Sequence, residues 1–154
     1  MKKAGEGRAV WVVGDRYTVK TSGAETGGAF SLVEALVSPG GGPPPHVHGR
    51  EDEAFYVLEG QIQFFADGRE VLAGPGDWIT LAKGSLHCFK NQTDRPARML
   101  VMVTPAGLEQ FFLEVGRPVT DSDPEFVHPT PEDIEKLLAA APRYGLEIRL
   151  PGPG

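Results

Sequence analysis

Apolar and polar residues alternate in short runs through the first two-thirds of the chain, and the period changes in the last third. Runs of about four to eight residues, rich in β-branched and aromatic side chains and bounded by glycine, proline and aspartate, predict strands joined by tight turns. Val10–Val13 and Tyr17–Thr21 are predicted strands around a Gly14-Asp15 turn, and Ser22–Gly28 reads as a polar, glycine-rich loop. Phe30–Val37 is a longer strand with apolar residues on both faces: Val33, Ala35 and Val37 on one, Phe30, Leu32 and Leu36 with Glu34 on the other. Such a strand suits the middle of a sandwich or a subunit interface. Glu34 reads as the partner of an arginine or, alternatively, as a pocket group. Further strands are predicted over Glu53–Leu58, Gln61–Ala66, Arg69–Ala73, Trp78–Leu81, around His87, and over Arg98–Val103. Asp67-Gly68 is the strongest hairpin signal, and Gly74-Pro75-Gly76-Asp77 is a second turn.

After Thr104-Pro105 the spacing becomes helical: Leu108, Phe111, Phe112 and Val115 share a face. Thr104 is the expected N-cap with Pro105 at the first helical position, and Gly116 and Pro118 end the helix. Residues 120–129 form an acidic linker carrying a surface His128. A second helix starts at Thr130-Pro131-Glu132-Asp133, with an apolar stripe of Ile134, Leu137, Leu138 and Ala141. Leu146, Ile148 and Leu150 alternate before the terminal PGPG, as an edge strand or an extended tail.

The chemistry concentrates in two segments, GGGPPPHVHGREDEAFYVLEG (40–60) and GDWITLAKGSLHCFKN (76–91). His46 and His48 are two apart, which on a strand puts both on one face, about 6.6–7 Å apart along it. Two imidazoles so placed can converge on one metal ion, and imidazole with carboxylate suits Fe, Mn, Ni, Co, Cu or Zn. Pro43, Pro44 and Pro45 favour an extended approach to His46. Glu53 returns to the site at the head of an aromatic and β-branched strand. Arg50, Glu51 and Asp52 read as solvated, although Glu51 shares a face with Glu53 and is a rival ligand. His87 is the third imidazole. Phe55, Val57 and Phe89 share faces with Glu53 and His87, and are expected to wall a pocket or the plain core. Cys88, on the opposite face from His87, reads as a buried small hydrophobe with no base beside it.

These two segments resemble the motifs of the cupin superfamily. Gly40, His46, His48, Glu53 and Gly60 match G-x5-H-x-H-x4-E-x6-G, and Gly76, Gly84, His87 and Asn91 match G-x5-P-x-G-x2-H-x3-N. Ala82 stands where the second motif has proline, which bears on the turn before His87 and not on a ligand. The resemblance spans about residues 30–105. It implies a mainly β, double-stranded β-helix (a jelly-roll barrel) with short C-terminal helices beyond about residue 105, all in one domain over residues 1–154. It also implies a divalent transition metal held by His46, His48, Glu53 and His87, and selects Glu53 over Glu51. Among quercetinase-like cupin dioxygenases, which this chain is similar to, the matching glutamate also acts as a base, so Glu53 is the candidate catalytic residue. The superfamily includes isomerases, decarboxylases, storage proteins and sensors as well as dioxygenases, so fold alone selects no reaction.

Composition narrows the partners. The chain has 154 residues, a net charge of −6 and no basic stripe, which excludes nucleic acid and an anionic membrane as expected partners. No apolar run reaches the length of a membrane span, and the N-terminus lacks the apolar core of a signal peptide. The single Cys88 allows no intramolecular disulfide, so a cytoplasmic protein is expected. The 20 glycines and 14 prolines fall mostly between strands and mark turns. The expected partner is a small-molecule substrate, with homodimerisation through the apolar N-terminal strands. A metal-dependent dioxygenase of small enols or phenols is the leading expectation. An isomerase or lyase on the same site, or a non-enzymatic binder, are the alternatives.

Overall fold

The computed structural model describes residues 1–150; the terminal PGPG lies outside the described residues. In chain order the elements are β1 (Arg8–Val12), β2 (Asp15–Thr21), α1 (Gly23–Thr26), β3 (Ser31–Val37), β4 (His46–His48), β5 (Asp52–Glu59), β6 (Ile62–Ala66) and β7 (Arg69–Ala73). They continue as β8 (Trp78–Leu81), β9 (Leu86–Lys90), β10 (Ala97–Thr104), α2 (Leu108–Val115), β11 (Arg117–Pro118), α3 (Pro131–Ala140) and β12 (Leu146–Ile148). The strands form two antiparallel sheets, one in the order β11-β1-β2-β3-β10-β5-β8 and the other β12-β4-β9-β6-β7. This is the mainly β, two-sheet arrangement of a double-stranded β-helix.

Strict alternation sets the faces. On β3 and β10 every second residue is buried, so Val33, Ala35 and Val37 lie beside Met99, Val101 and Val103 on the inner face. Phe55 and Val57 of β5 extend that face, and Ile62, Phe64, Ala73 and Phe89 meet it from the five-stranded sheet. Burying each large apolar side chain contributes about 1.5–3 kcal/mol. The outer face of the larger sheet is apolar too. Leu32, Leu36, Leu100 and Met102 are half-buried there, and Tyr56 and Trp78 are exposed. Glu34 lies on this face, 3.6 Å from the Arg98 guanidinium, and so takes the arginine-partner role.

Several local details differ from the sequence expectations. The first turn is Val13-Gly14, one residue earlier than expected, because Val12 pairs with Asp15 and both loop residues take positive φ (50° and 86°). That is the geometry of a two-residue hairpin loop of type I′, and it is unusual for a β-branched residue. The 22–28 loop contains α1, capped reciprocally by Ser22 and Glu25. Thr104 does not cap α2. It stays in β10, paired with Asp52, and Gly107 is the N-cap, its N–H donating to the buried Glu109 carboxylate. Thr130 caps α3 with Asp133 as its capping-box partner. Cys88 is half-buried on the outer side of β9 and not a core residue. Leu146–Ile148 resolves the choice at the C-terminus: it is an edge strand, paired with β4. Among the described residues no helix is long and apolar enough to cross a membrane.

Asn91 shows how a motif residue can serve the fold. It is fully buried; its side-chain amide donates to Val37 O (3.1 Å) and Arg95 O (2.6 Å), and its oxygen accepts from Thr93 N (3.0 Å) and Thr93 Oγ1 (2.7 Å). Asn91→Ala would orphan several of these groups at once. Chemical denaturation is expected to show a loss of about 2–3 kcal/mol, with an unchanged stability ruling out this role.

Candidate metal centre and cavity

The site is built across the two sheets. β4 carries His46 and His48 on one face, and β9 lies antiparallel to it with His46 directly opposite His87. Glu53 comes from β5 of the other sheet. One nitrogen or oxygen from each of His46, His48, Glu53 and His87 lies within 4.8 Å of all the others. His48, His87 and Glu53 are buried and His46 is half-buried. Glu53 Oε2 is 2.8 Å from His87 Nε2 and 3.1 Å from His48 Nε2. The imidazole rings sit 4.5–5.4 Å apart, centre to centre.

Each ring nitrogen on the far side faces an oxygen. His46 Nδ1 is 2.8 Å from Pro44 O, His87 Nδ1 is 3.1 Å from Ser85 O, and His48 Nδ1 is 3.4 Å from the Glu51 carboxylate. At His46 and His87 these acceptors hold the proton on Nδ1 and turn the Nε2 lone pairs towards the centre of the cluster. Glu51 is therefore neither solvated nor a ligand rival. It is 4% exposed and backs His48. His48 Nε2 and Nδ1 are buried without hydrogen-bond geometry to any described group. Metal–ligand bonds of about 2.1 Å place ligand atoms about 3–4 Å apart, close to the observed spread. Three imidazoles, a carboxylate and an orphaned buried Nε2 fit a divalent transition ion.

Electrostatics sharpen the picture. Burial would lower the pKa of His48, but pairing with Glu51 and Glu53 outweighs it and raises the value to about 9. Burial dominates at His46 and lowers it to about 4. Glu53 resists its own burial because His48 and His87 hold it well below the ordinary carboxylate range.

The cluster opens onto an apolar cavity lined by Phe55, Phe89 and Val101 of the barrel, by Val12, Val13, Pro43 and Pro44, and by Leu108, Phe111 and Phe112 of α2. Leu137 of α3 and Leu146 and Ile148 at β12 complete the wall, so the C-terminal segment covers the site. The volume open to the centre of a water molecule is about 60 Å³, room for a few waters. Phe55 and Phe89 are thus wall residues. Val57 is not among them: two residues beyond Phe55 on the same face, it is fully buried in the core. Two polar wall residues, Asp15 and Tyr17, carried no sequence signal beyond alternation. His128 is exposed and away from the cluster.

A family model described as "Cupin domain" matches residues 33–103. Quercetin 2,3-dioxygenase of Bacillus subtilis (strain 168) is 27% identical over 116 residues, 75% of this chain and 34% of that protein. The Beta-D-galactosidase Rv1717 of Mycobacterium tuberculosis is 36% identical over 88 residues, 56% of this chain and 75% of that one. A solved sugar phosphate isomerase from a cupin superfamily, from Silicibacter pomeroyi, superimposes with a TM-score of 0.53 at 27% identity, covering 68% of each chain. The chain spans about a third of the length of the dioxygenase it matches.

Two outcomes follow from this geometry. His48 has a folded pKa of about 9 above its ordinary 6.5, so in metal-free protein its contribution to stability is full below about pH 6.5 and is lost as pH rises through about 9. Ion binding needs that proton to leave, so occupancy strengthens over the same range. Thermal midpoints with chelator and with metal should therefore diverge as pH rises from 6.5 to 9; parallel curves would refute the pairing. Glu51→Ala should weaken metal affinity by about 10–100-fold by competition titration, and an unchanged affinity would remove Glu51 from the site.

Proposed function

The chain belongs to the cupin superfamily, and from that premise we propose that it is a metal-dependent oxidoreductase of dioxygenase type acting on a small enolic or phenolic substrate. The carrying observation is that His46, His48, Glu53 and His87 converge, and that three of them, His46, His48 and Glu53, line an apolar cavity whose wall includes four phenylalanines. A divalent transition ion held by these four residues would supply Lewis acidity towards a substrate oxygen and, if redox-active, a route to O2. With that ion bound, the three imidazoles would serve as its nitrogen ligands. Glu53 stays ionised and accepts the hydrogen of a substrate hydroxyl. Phe55, Phe89, Phe111 and Phe112 exclude water and contact the apolar body of the ligand.

The wall also argues against two other substrate classes. No lysine or arginine lines the cavity, which disfavours a phosphorylated sugar, and the polar groups are too few to pair with the hydroxyls of a free sugar. We read the chain as a cytoplasmic protein, in line with its single cysteine. We also propose a homodimer through the outer face of the larger sheet. Leu100 lies there between Glu34 and Tyr56, Tyr56 lies beside Trp78, and Arg98 pairs with both Glu34 and Glu59 at its edge. A second copy of the same face can cover it.

Untagged protein should carry about one transition ion per chain by mass spectrometry, and the His46→Ala/His87→Ala variant none. After reloading with Fe, Mn, Ni, Co or Cu in turn, oxygen uptake with small enols and catechols supports the dioxygenase reading. Turnover without oxygen uptake would replace it with an isomerase or lyase, and binding without turnover with a sensor or store. For the dimer, light scattering should give twice the chain mass, falling to one chain in Leu100→Glu; a wild-type monomer would refute the interface.

A further inference from the structure

Asp15 and Tyr17 are the polar wall residues that the metal cluster does not use. Both lie on β2, two apart, on the inner face, next to the Val13-Gly14 turn. Asp15 is 1% exposed and Tyr17 is 5% exposed, and both line the cavity that His46, His48 and Glu53 also line. Asp15 Oδ1 accepts the Ser38 N–H at 2.9 Å, and the Gly42 N–H also faces the carboxylate. A carboxylate has about four acceptor positions, so two backbone donors leave capacity unused. No lysine or arginine lines the cavity to neutralise it. Burial pushes Asp15 up to about 7 against those two donors.

Tyr17 is oriented by its ring, which stacks on Phe112 of α2 at 4.4 Å and 18°. Burial raises its pKa well above the ordinary value, and the charges of Asp15 and Glu53 add to that rise, so the phenol feels both carboxylates. Among the described residues its hydroxyl makes no side-chain hydrogen bond. Buried tyrosine hydroxyls ordinarily find a partner. A tyrosine only 5% exposed, whose hydroxyl has no hydrogen-bond partner among the described residues, on the same cavity wall as a carboxylate with spare acceptor capacity, points to a ligand.

We propose that Asp15 and Tyr17 form a second polar anchor, which receives a hydroxyl on the substrate's apolar body other than the oxygen that meets the His/Glu cluster. The inference rests on the cavity being the substrate site of the reading above, and it narrows the substrate to a small aromatic or enolic molecule with two separated oxygen functions. Asp15 accepts the hydrogen of that hydroxyl, and the Tyr17 hydroxyl donates to its oxygen. Phe55, Phe89 and Phe112 contact the ring between the two ends. The bland alternative is that Asp15 only folds the Ser38–Gly42 loop. Tyr17 has no part in that loop, which makes it the cleaner probe.

The test is calorimetric binding of phenol, hydroquinone and 4-methoxyphenol to metal-loaded protein, with metal content measured in every sample. In wild type, hydroquinone should bind about 10-fold or more tighter than the other two, as expected for a hydrogen bond to a charged group. In Tyr17→Phe and in Asp15→Asn that ratio should fall towards one while metal content and folding hold. If Asp15→Asn does not fold, Tyr17→Phe decides alone, since it retains the stacked ring. Equal binding of the three probes by wild type, or a preference that survives in Tyr17→Phe, overturns the anchor and leaves the metal site standing. If no phenol binds loaded protein, the phenolic reading itself fails, and the anchor with it.

Discussion

Three imidazoles from one sheet close on a single carboxylate from the other, and the two halves of the barrel are registered by that contact. A buried carboxylate is costly unless it is paired, and removing one partner of such a cluster leaves an uncompensated charge. Glu53 is 6% exposed and has His48 and His87 within 3.1 Å, so its burial depends on both. The cluster in turn depends on strand register. His46 faces His87 because β4 and β9 are paired in one alignment, and a one-residue slip of β4 would turn His46 and His48 to the outside. β4 is only three residues long, and β12 covers its other edge, pairing Ile148 with His46 and Leu146 with His48. The C-terminal segment is thus part of what holds the ligand strand in place.

The same residues set the electrical character of the cavity. Apolar walls lower the local dielectric, which strengthens each interaction among the few polar groups left inside. His46 and His48 are two residues apart and are driven in opposite directions, one by burial and the other by its two carboxylate neighbours. Glu51 acts on His48 together with Glu53, and it lies 3.4 Å from the far ring nitrogen, Nδ1. With no cationic side chain on the wall, positive charge in the cavity has to come from the imidazoles or from an ion they hold. A site of this kind favours a ligand that brings oxygen to the cluster and hydrocarbon to the wall.

What could be read in the sequence follows from the range of the interactions involved. Alternation and turn chemistry are local, so the strands from β3 to β10 and the Asp67-Gly68 hairpin were legible in outline. The histidine and glutamate spacing was legible because its period matches the pleat. Glu51 was misread as solvated, since its burial depends on packing from β4 and not on its charged neighbours in sequence. The start of α2 was misread because Thr104 has a stronger claim as the last pair of the β10–β5 ladder than as a cap. Val57 shares its face with Phe55, but face does not give depth. Asp15 and Tyr17 were invisible as site residues, because nothing in β2 indicates that α2 will place Phe112 over Tyr17.

That division also separates chemistry from specificity. The matched segment, residues 33–103, holds all four residues of the cluster together with Phe55 and Phe89. Most of the remaining wall comes from outside it: Val12, Val13, Asp15 and Tyr17 precede it, and Leu108, Phe111, Phe112, Leu137, Leu146 and Ile148 follow it. A relative can therefore share the metal-ligating residues through this segment and still present a different surface to its substrate. Discrimination between ligands is set by which wall groups are left paired or unpaired. In this chain those groups lie on β2, on the two helices and at β12, so the surface that any ligand of the cavity would meet is set largely by parts of the molecule outside the matched segment.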